Sequence, residues 1–239
     1  MAVRTQKDKS INLNGGVIRL LVGNPPIPFA VLKELIRGSS DFFDKAMSSD
    51  WKESKSRVFA LPNHDPEALQ LYMQWLYTKM LPVKTEDPSD DEFLLLAKAV
   101  VLGDMFQDSD FENTAVDAIL DKSRSSRLEG PTLAPTVSYI YENTINECKA
   151  RKLLVDIYVS EGNGKWLRHP EESPKDLPSE FMFDLAAALL ERRPKPNSSS
   201  PSSMTDTCRY HKHSSGGTCD KNKFSRKVTS TRRYKFGFD

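Results

Sequence analysis

The chain has 239 residues, 38% of them hydrophobic and 28% charged, with a net charge of +1 at neutral pH. That length suits one or two domains with a buried core, and no apolar run approaches what a bilayer requires. Three cysteines, Cys148, Cys208 and Cys219, are too few for a disulfide framework, and the polar start carries no apolar signal core, so the reducing cytoplasm or nucleus is the expected compartment.

Residues 1–13 read as a flexible N-terminus. Residues 17–22 are a β-prone run after Asn14-Gly15-Gly16. Gly23-Asn24-Pro25-Pro26 stops it, because proline fixes φ and removes a donor. Ile27-Pro28-Phe29 predicts a short edge strand, where a proline is tolerated. Residues 31–37 predict a helix with Leu32, Leu35 and Ile36 on one side, closed by Gly38. A second helix is expected over 41–47, offering Phe42, Phe43, Ala46 and Met47 to a core. Residues 57–61 predict a strand ending at Pro62.

The next helix has the clearest punctuation. Asp65 suits the cap, Pro66 the first turn, and Glu67 the positive end of the helix dipole. Leu69, Tyr72, Met73 and Leu76 recur at helical spacing, and Pro82 closes the stretch. Ser89-Asp90-Asp91-Glu92 predicts a capping box before a helix over 93–102 that is apolar on nearly every face and therefore buried. Residues 111–120 predict an amphipathic helix. Gly130-Pro131 marks a boundary, followed by helices over 136–143, 147–160 and 179–192. The apolar stripes of the last two are Leu153, Leu154, Ile157 and Tyr158, then Phe181, Leu185, Ala188 and Leu189. Residues 194–207 are mostly Pro, Ser, Thr and Asn with almost nothing to bury, so 194–239 reads as a disordered linker and tail.

The charge is unevenly spread. From Cys208 onward nine Lys or Arg stand against two Asp, an excess of seven positive charges. With +1 overall, the rest of the chain carries an excess of six negative ones. The chain is an acidic body with a basic tail.

Three dense signatures stand within the first eighty residues: Ser39-Ser40-Asp41-Phe42-Phe43, Trp51-Lys52-Glu53-Ser54 and Trp75-Leu76-Tyr77-Thr78. With Phe29, Val31, Lys33, Ile36, Ser40 and Phe43 at their spacing, residues 14–122 resemble the BTB/POZ fold, in a form most similar to BTB proteins of filamentous fungi. The resemblance implies an α+β domain of a small sheet and helical hairpins, followed by a helical extension over 130–193. It implies a protein–protein interaction module without chemistry of its own. Two positions depart from the family pattern. Gly16 stands where an Asp is usual before the first strand, and Leu32 where a His precedes the first helix. The corepressor pocket of some repressors of this fold is therefore not expected. Dimeric members exchange an N-terminal helix and strand. The residues before Asn14 show no apolar stripe, so a swapped homodimer is not expected either.

Trp51-Lys52-Glu53 fits the hydrophobic-x-Glu pattern that BTB adaptors use to bind cullins, which makes Trp51, Lys52, Glu53 and Ser54 the candidate partner-binding residues. The competing reading is that Trp51 covers the core and Glu53-Ser54 lead into the next strand. Cys208, His211, His213 and Cys219 are chemically suited to zinc, but their spacing matches no common finger, and a flexible tail accounts for them equally. Lys221, Lys223, Arg226, Lys227, Arg232, Arg233 and Lys235 are interleaved with Phe224, Tyr234, Phe236 and Phe238. Such a segment can neutralise phosphates and stack on bases, serve nuclear import, or remain a solvated end.

Enzymatic signatures are absent from the sequence. Gly162-Asn163-Gly164-Lys165 lacks the upstream glycine and following Ser or Thr of a phosphate-binding loop, and no Gly-x-Ser-x-Gly or His-Glu-x-x-His occurs. His64 reads as a turn residue, and Asp90-Asp91-Glu92 as helix capping. No cofactor, small-molecule substrate or membrane is expected. The expected function is an adaptor that links a partner to a larger assembly, most specifically a cullin ubiquitin ligase. The alternative is a nuclear regulator whose tail contacts nucleic acid.

Overall fold

The computed structural model describes residues 15–48, 56–85, 91–125, 130–145, 148–167 and 177–193. The chain divides after Glu191, and the architecture below is that of the part before the division. Three strands, β1 (Val17–Val22), β2 (Ile27–Leu32) and β3 (Val58–Leu61), form a sheet of order β2-β1-β3. β1 and β2 are antiparallel, from Val17 opposite Leu32 to Val22 opposite Ile27. Gly23 carries the turn at φ 81°, a conformation that costs glycine little. β3 runs parallel to β1, with Arg19 opposite Val58. Such pairing requires a crossover, here α1 (Lys33–Ser39) and α2 (Asp41–Ser48). The period of two sends Ile18, Leu20 and Val22 into the core, joined by Val31, Phe59 and Leu61.

Helix α3 (Pro66–Thr78) begins as its punctuation predicts. Asp65 Oδ1 accepts from the amides of Glu67 at 2.8 Å and Ala68 at 3.2 Å. It ends earlier than Pro82: Lys79 turns left-handed at φ 58° and its amide closes on the Trp75 carbonyl. Helix α4 (Glu92–Phe106) packs against α2, α3, α5 (Ser109–Ser125) and α6 (Gly130–Asn143). Being surrounded, it needs apolar residues on nearly every face. At Gly103 the approach of α5 is closest, and a Cβ there would lie 2.9 Å from the Glu112 backbone. Helices α7 (Lys149–Glu161) and α8 (Ser179–Glu191) complete the described chain.

Several boundaries differ from the sequence reading. Val31 and Leu32 belong to β2 rather than to the first helix, because β1 offers them ladder partners. Gly38 lies inside α1, and the cap is Ser40, whose amide bonds the Ile36 carbonyl at 2.9 Å. Of the expected Ser89–Glu92 capping box, Ser89 and Asp90 lie outside the described residues. Asp91 caps α4 by accepting from the Leu94 amide, while Glu92 receives Lys122 Nζ at 2.5 Å. Gly130 and Pro131 open α6 rather than precede it, and Pro135 lies within that helix. Leu189, placed in the apolar stripe of α8, is 48% exposed.

Candidate partner-binding surfaces

The Ser39-Ser40 pair works at a joint between helices. Ser40 is buried; its hydroxyl donates to the Phe106 carbonyl at 2.6 Å and accepts from the Phe43 amide at 3.2 Å, which caps α2. Ser39 Oγ donates to Asp108 Oδ2 at 2.5 Å, and Tyr72 Oη donates to the same oxygen at 3.0 Å. Asp108 Oδ1 accepts from the Phe111 amide at 3.1 Å, capping α5. One carboxylate, 1% exposed, thus holds α1, α3 and α5 together. Burial, then the Asp108 charge, pushes the Tyr72 phenol well above its usual range. Around this joint Phe43, Phe106, Tyr72, Phe111 and Trp75 make edge and tilted ring contacts.

The same hairpin launches the segment that carries the candidate motif. Arg37 pairs with Asp44 Oδ1 at 2.6 Å and donates to Ser48 Oγ at 3.3 Å, bracing the end of α2 against α1. Trp51, Lys52, Glu53 and Ser54 lie outside the described residues, between Ser48 and the start of β3. Cys208, His211, His213 and Cys219, and the basic residues Lys221, Lys223, Arg226, Lys227, Arg232, Arg233 and Lys235, also lie outside them.

A second joint was not foreseen. Arg151 on α7 is buried, and its guanidinium donates to Thr144 Oγ1 at 3.0 Å, the Tyr141 carbonyl at 2.7 Å and the Thr144 carbonyl. It pairs with Glu180 Oε2 at 2.8 Å and lies over the Tyr141 ring. A planar fork with five donors suits such a site and a lysine does not. Tyr141 Oη donates to Asp184 at 2.8 Å. Burial, then that carboxylate, raises the phenol above its usual range. An Asp just before a helix start could have revealed Asp108; Arg151, one of several basic residues at the start of α7, carries no such local signal.

His64 and the Gly162–Lys165 stretch lie in turns. His64 lies in the turn between β3 and α3, its amide bonded to the Leu61 carbonyl; burial lowers its pKa. Asn163 Oδ1 accepts from the Lys165 amide at 2.9 Å, which makes the Gly-Asn-Gly-Lys stretch a side-chain-closed turn. Among the described residues no three His, Cys, Asp or Glu could hold a metal ion. No described helix is long and apolar enough to cross a membrane.

The described part also leaves some apolar side chains exposed. The outer face of the sheet carries Val17, Leu21, Pro28, Ala30 and Ala60, with Val17 49% exposed. The outer side of α8 presents Phe183 at 75% and Leu190 at 68% exposed. A contiguous apolar patch left in water on a folded domain is a candidate contact surface. Fold and surface together define an α+β interaction module. Residues 18–103 match the family model for the BTB/POZ domain, and the chain carries a BTB/POZ domain there. The match ends within α4 and leaves α5 to α8 beyond it. No curated protein matches the chain.

Proposed function

We propose that this chain is a non-enzymatic adaptor that links a partner protein to a larger assembly, and that the assembly is built on a cullin. The observation that carries the reading is the BTB/POZ match over residues 18–103. The finer step rests on Trp51-Lys52-Glu53-Ser54. An aromatic ring fills a partner pocket and the adjacent carboxylate fixes its orientation. The hairpin leading into that motif is braced by Arg37 on Asp44 and Ser48, which lowers the entropy lost on docking. The extension, whose α6 packs against α4, supplies surface for the second partner. The test is affinity purification of the full chain with quantitative mass spectrometry, beside a Trp51→Ala/Glu53→Lys variant. A cullin enriched by the wild type and lost from the variant supports the reading. Equal recovery by both, or none by either, contradicts it.

A second reading is favoured by one feature, the nine Lys or Arg against two Asp from Cys208 onward. It makes the chain a nuclear regulator whose tail contacts nucleic acid. Retention on DNA that falls steeply with salt and vanishes on deletion of residues 194–239 would favour it.

A further inference from the structure

The sheet turns one face to the helices and one outward, and the outward face has a single charge near its centre. Arg19 lies on the middle strand, with Val17 and Leu21 on its own strand, Ala30 opposite on β2 and Val58 opposite on β3. Arg19 and Ala30 are exposed, and Leu21 and Val58 half-buried. Among the described residues no carboxylate forms an ion pair with Arg19.

Both edges of this sheet are blunted against strand addition. The bond from the Lys33 amide to the Gly16 carbonyl sets the ladder, so the backbone of Pro28, Ala30 and Leu32 points away from β1. Pro28 has no amide proton, and the Leu32 amide donates to Tyr77 Oη at 3.2 Å. On β3 the Val58 amide is taken by Ser56 Oγ at 3.4 Å, and Pro62 follows the strand. Proline and occupied donors are how sheets refuse an added strand. These features favour a partner that lies on the face, side chains first, over one that adds a strand.

We infer that this face binds an amphipathic segment of a partner protein that carries one carboxylate within an apolar row. The carboxylate receives the Arg19 fork, and the apolar residues cover Val17, Leu21 and Val58. Surrounding apolar side chains exclude water from the pair and strengthen it. A second copy of this chain is the poorer occupant, because a two-fold axis at the centre of the face sets Arg19 against Arg19. The inference stands on the sheet alone and is independent of Trp51 and Glu53.

The test is selection of 12-residue peptides from a random phage library on the immobilised full chain, followed by fluorescence anisotropy. Selected peptides should share an Asp or Glu flanked by Leu, Val or Phe. Arg19→Glu should weaken them about tenfold or more, as expected for loss of a charge-assisted contact. Lys84→Glu, at an exposed residue outside the strands, should leave them unchanged, and near-identical melting of Arg19→Glu and wild type would exclude misfolding. Peptides without a carboxylate, equal binding to Arg19→Glu, or no selected peptide would overturn the inference.

Discussion

Ser39 and Asp108, sixty-nine positions apart in sequence, are joined by a hydrogen bond of 2.5 Å from the serine hydroxyl to the carboxylate. That carboxylate also accepts from Tyr72 and from the Phe111 amide. It fixes the α1–α2 hairpin, which precedes the candidate partner motif in sequence, to the helices beneath. Asp108→Ala leaves three donors without their acceptor. An unsatisfied buried donor costs about 1–3 kcal/mol, so the variant should lose about 3 kcal/mol or more in urea unfolding. Asp108→Asn keeps one acceptor oxygen and should lose less. A loss below about 1 kcal/mol for Asp108→Ala, the scale of a surface substitution, would show that the joint is dispensable.

Leu76 is 1% exposed on the buried side of α3. Leu76→Ala should cost about 2–5 kcal/mol, through lost transfer energy and the cavity left behind. Denaturant titration with an unchanged m-value checks that the native fold is retained.

Arg151 tests the extension in the same way. Arg151→Lys keeps the charge but loses the fork onto Thr144, Tyr141 and Glu180. It should therefore destabilise by at least about 1.5 kcal/mol, the lower range for hydrogen bonds to charged groups. Arg19→Lys, at an exposed position, should stay within about 0.5 kcal/mol of wild type. Similar losses at both positions would contradict the contrast.

His64 gives a pH signature. Burial holds its folded pKa below the usual 6.5, so the unfolded state binds the proton more readily. Stability supplied by neutral His64 is present above pH 6.5 and is lost as the pH falls through the folded pKa. Glu112 works oppositely. Burial, then the Asp104 charge, raises its folded pKa, and its share is lost as the pH rises through that value. The difference in stability between wild type and His64→Gln isolates the histidine. It should rise as the pH rises toward about 6.5 and then level off. A flat difference would contradict the assignment.

Short-range chemistry made much of the fold legible. The Asp65-Pro66-Glu67 start predicts the observed cap because the capping bonds, from the Glu67 and Ala68 amides to Asp65, are local. The all-round apolar run over 93–102 predicts a surrounded helix, and α4 is surrounded. The resemblance carried by the Ser-Ser-Asp-Phe-Phe and Trp-Leu-Tyr-Thr signatures agrees with the family match. Expectations failed where tertiary partners decided the outcome. Val31 and Leu32 have helical neighbours in sequence but strand partners in β1. Gly38 resembles a terminator, yet the turn continues because Ser39 and Ser40 are held by Asp108 and the Phe106 carbonyl. Asp108 and Arg151 act over long sequence separations, which periodicity does not register. The motif at Trp51 to Ser54 is legible only through the resemblance, and its residues lie outside the described ones.

The proposed function has this chain bind a cullin through Trp51 and Glu53. Calorimetry of the full chain against a cullin N-terminal fragment tests it most directly. One-to-one binding at micromolar or tighter affinity is expected, lost on Trp51→Ala and weakened about tenfold or more by Glu53→Lys, as for anchor residues at an interface. Folded wild-type protein that produces no heat, or variants that bind as well as wild type, would contradict it.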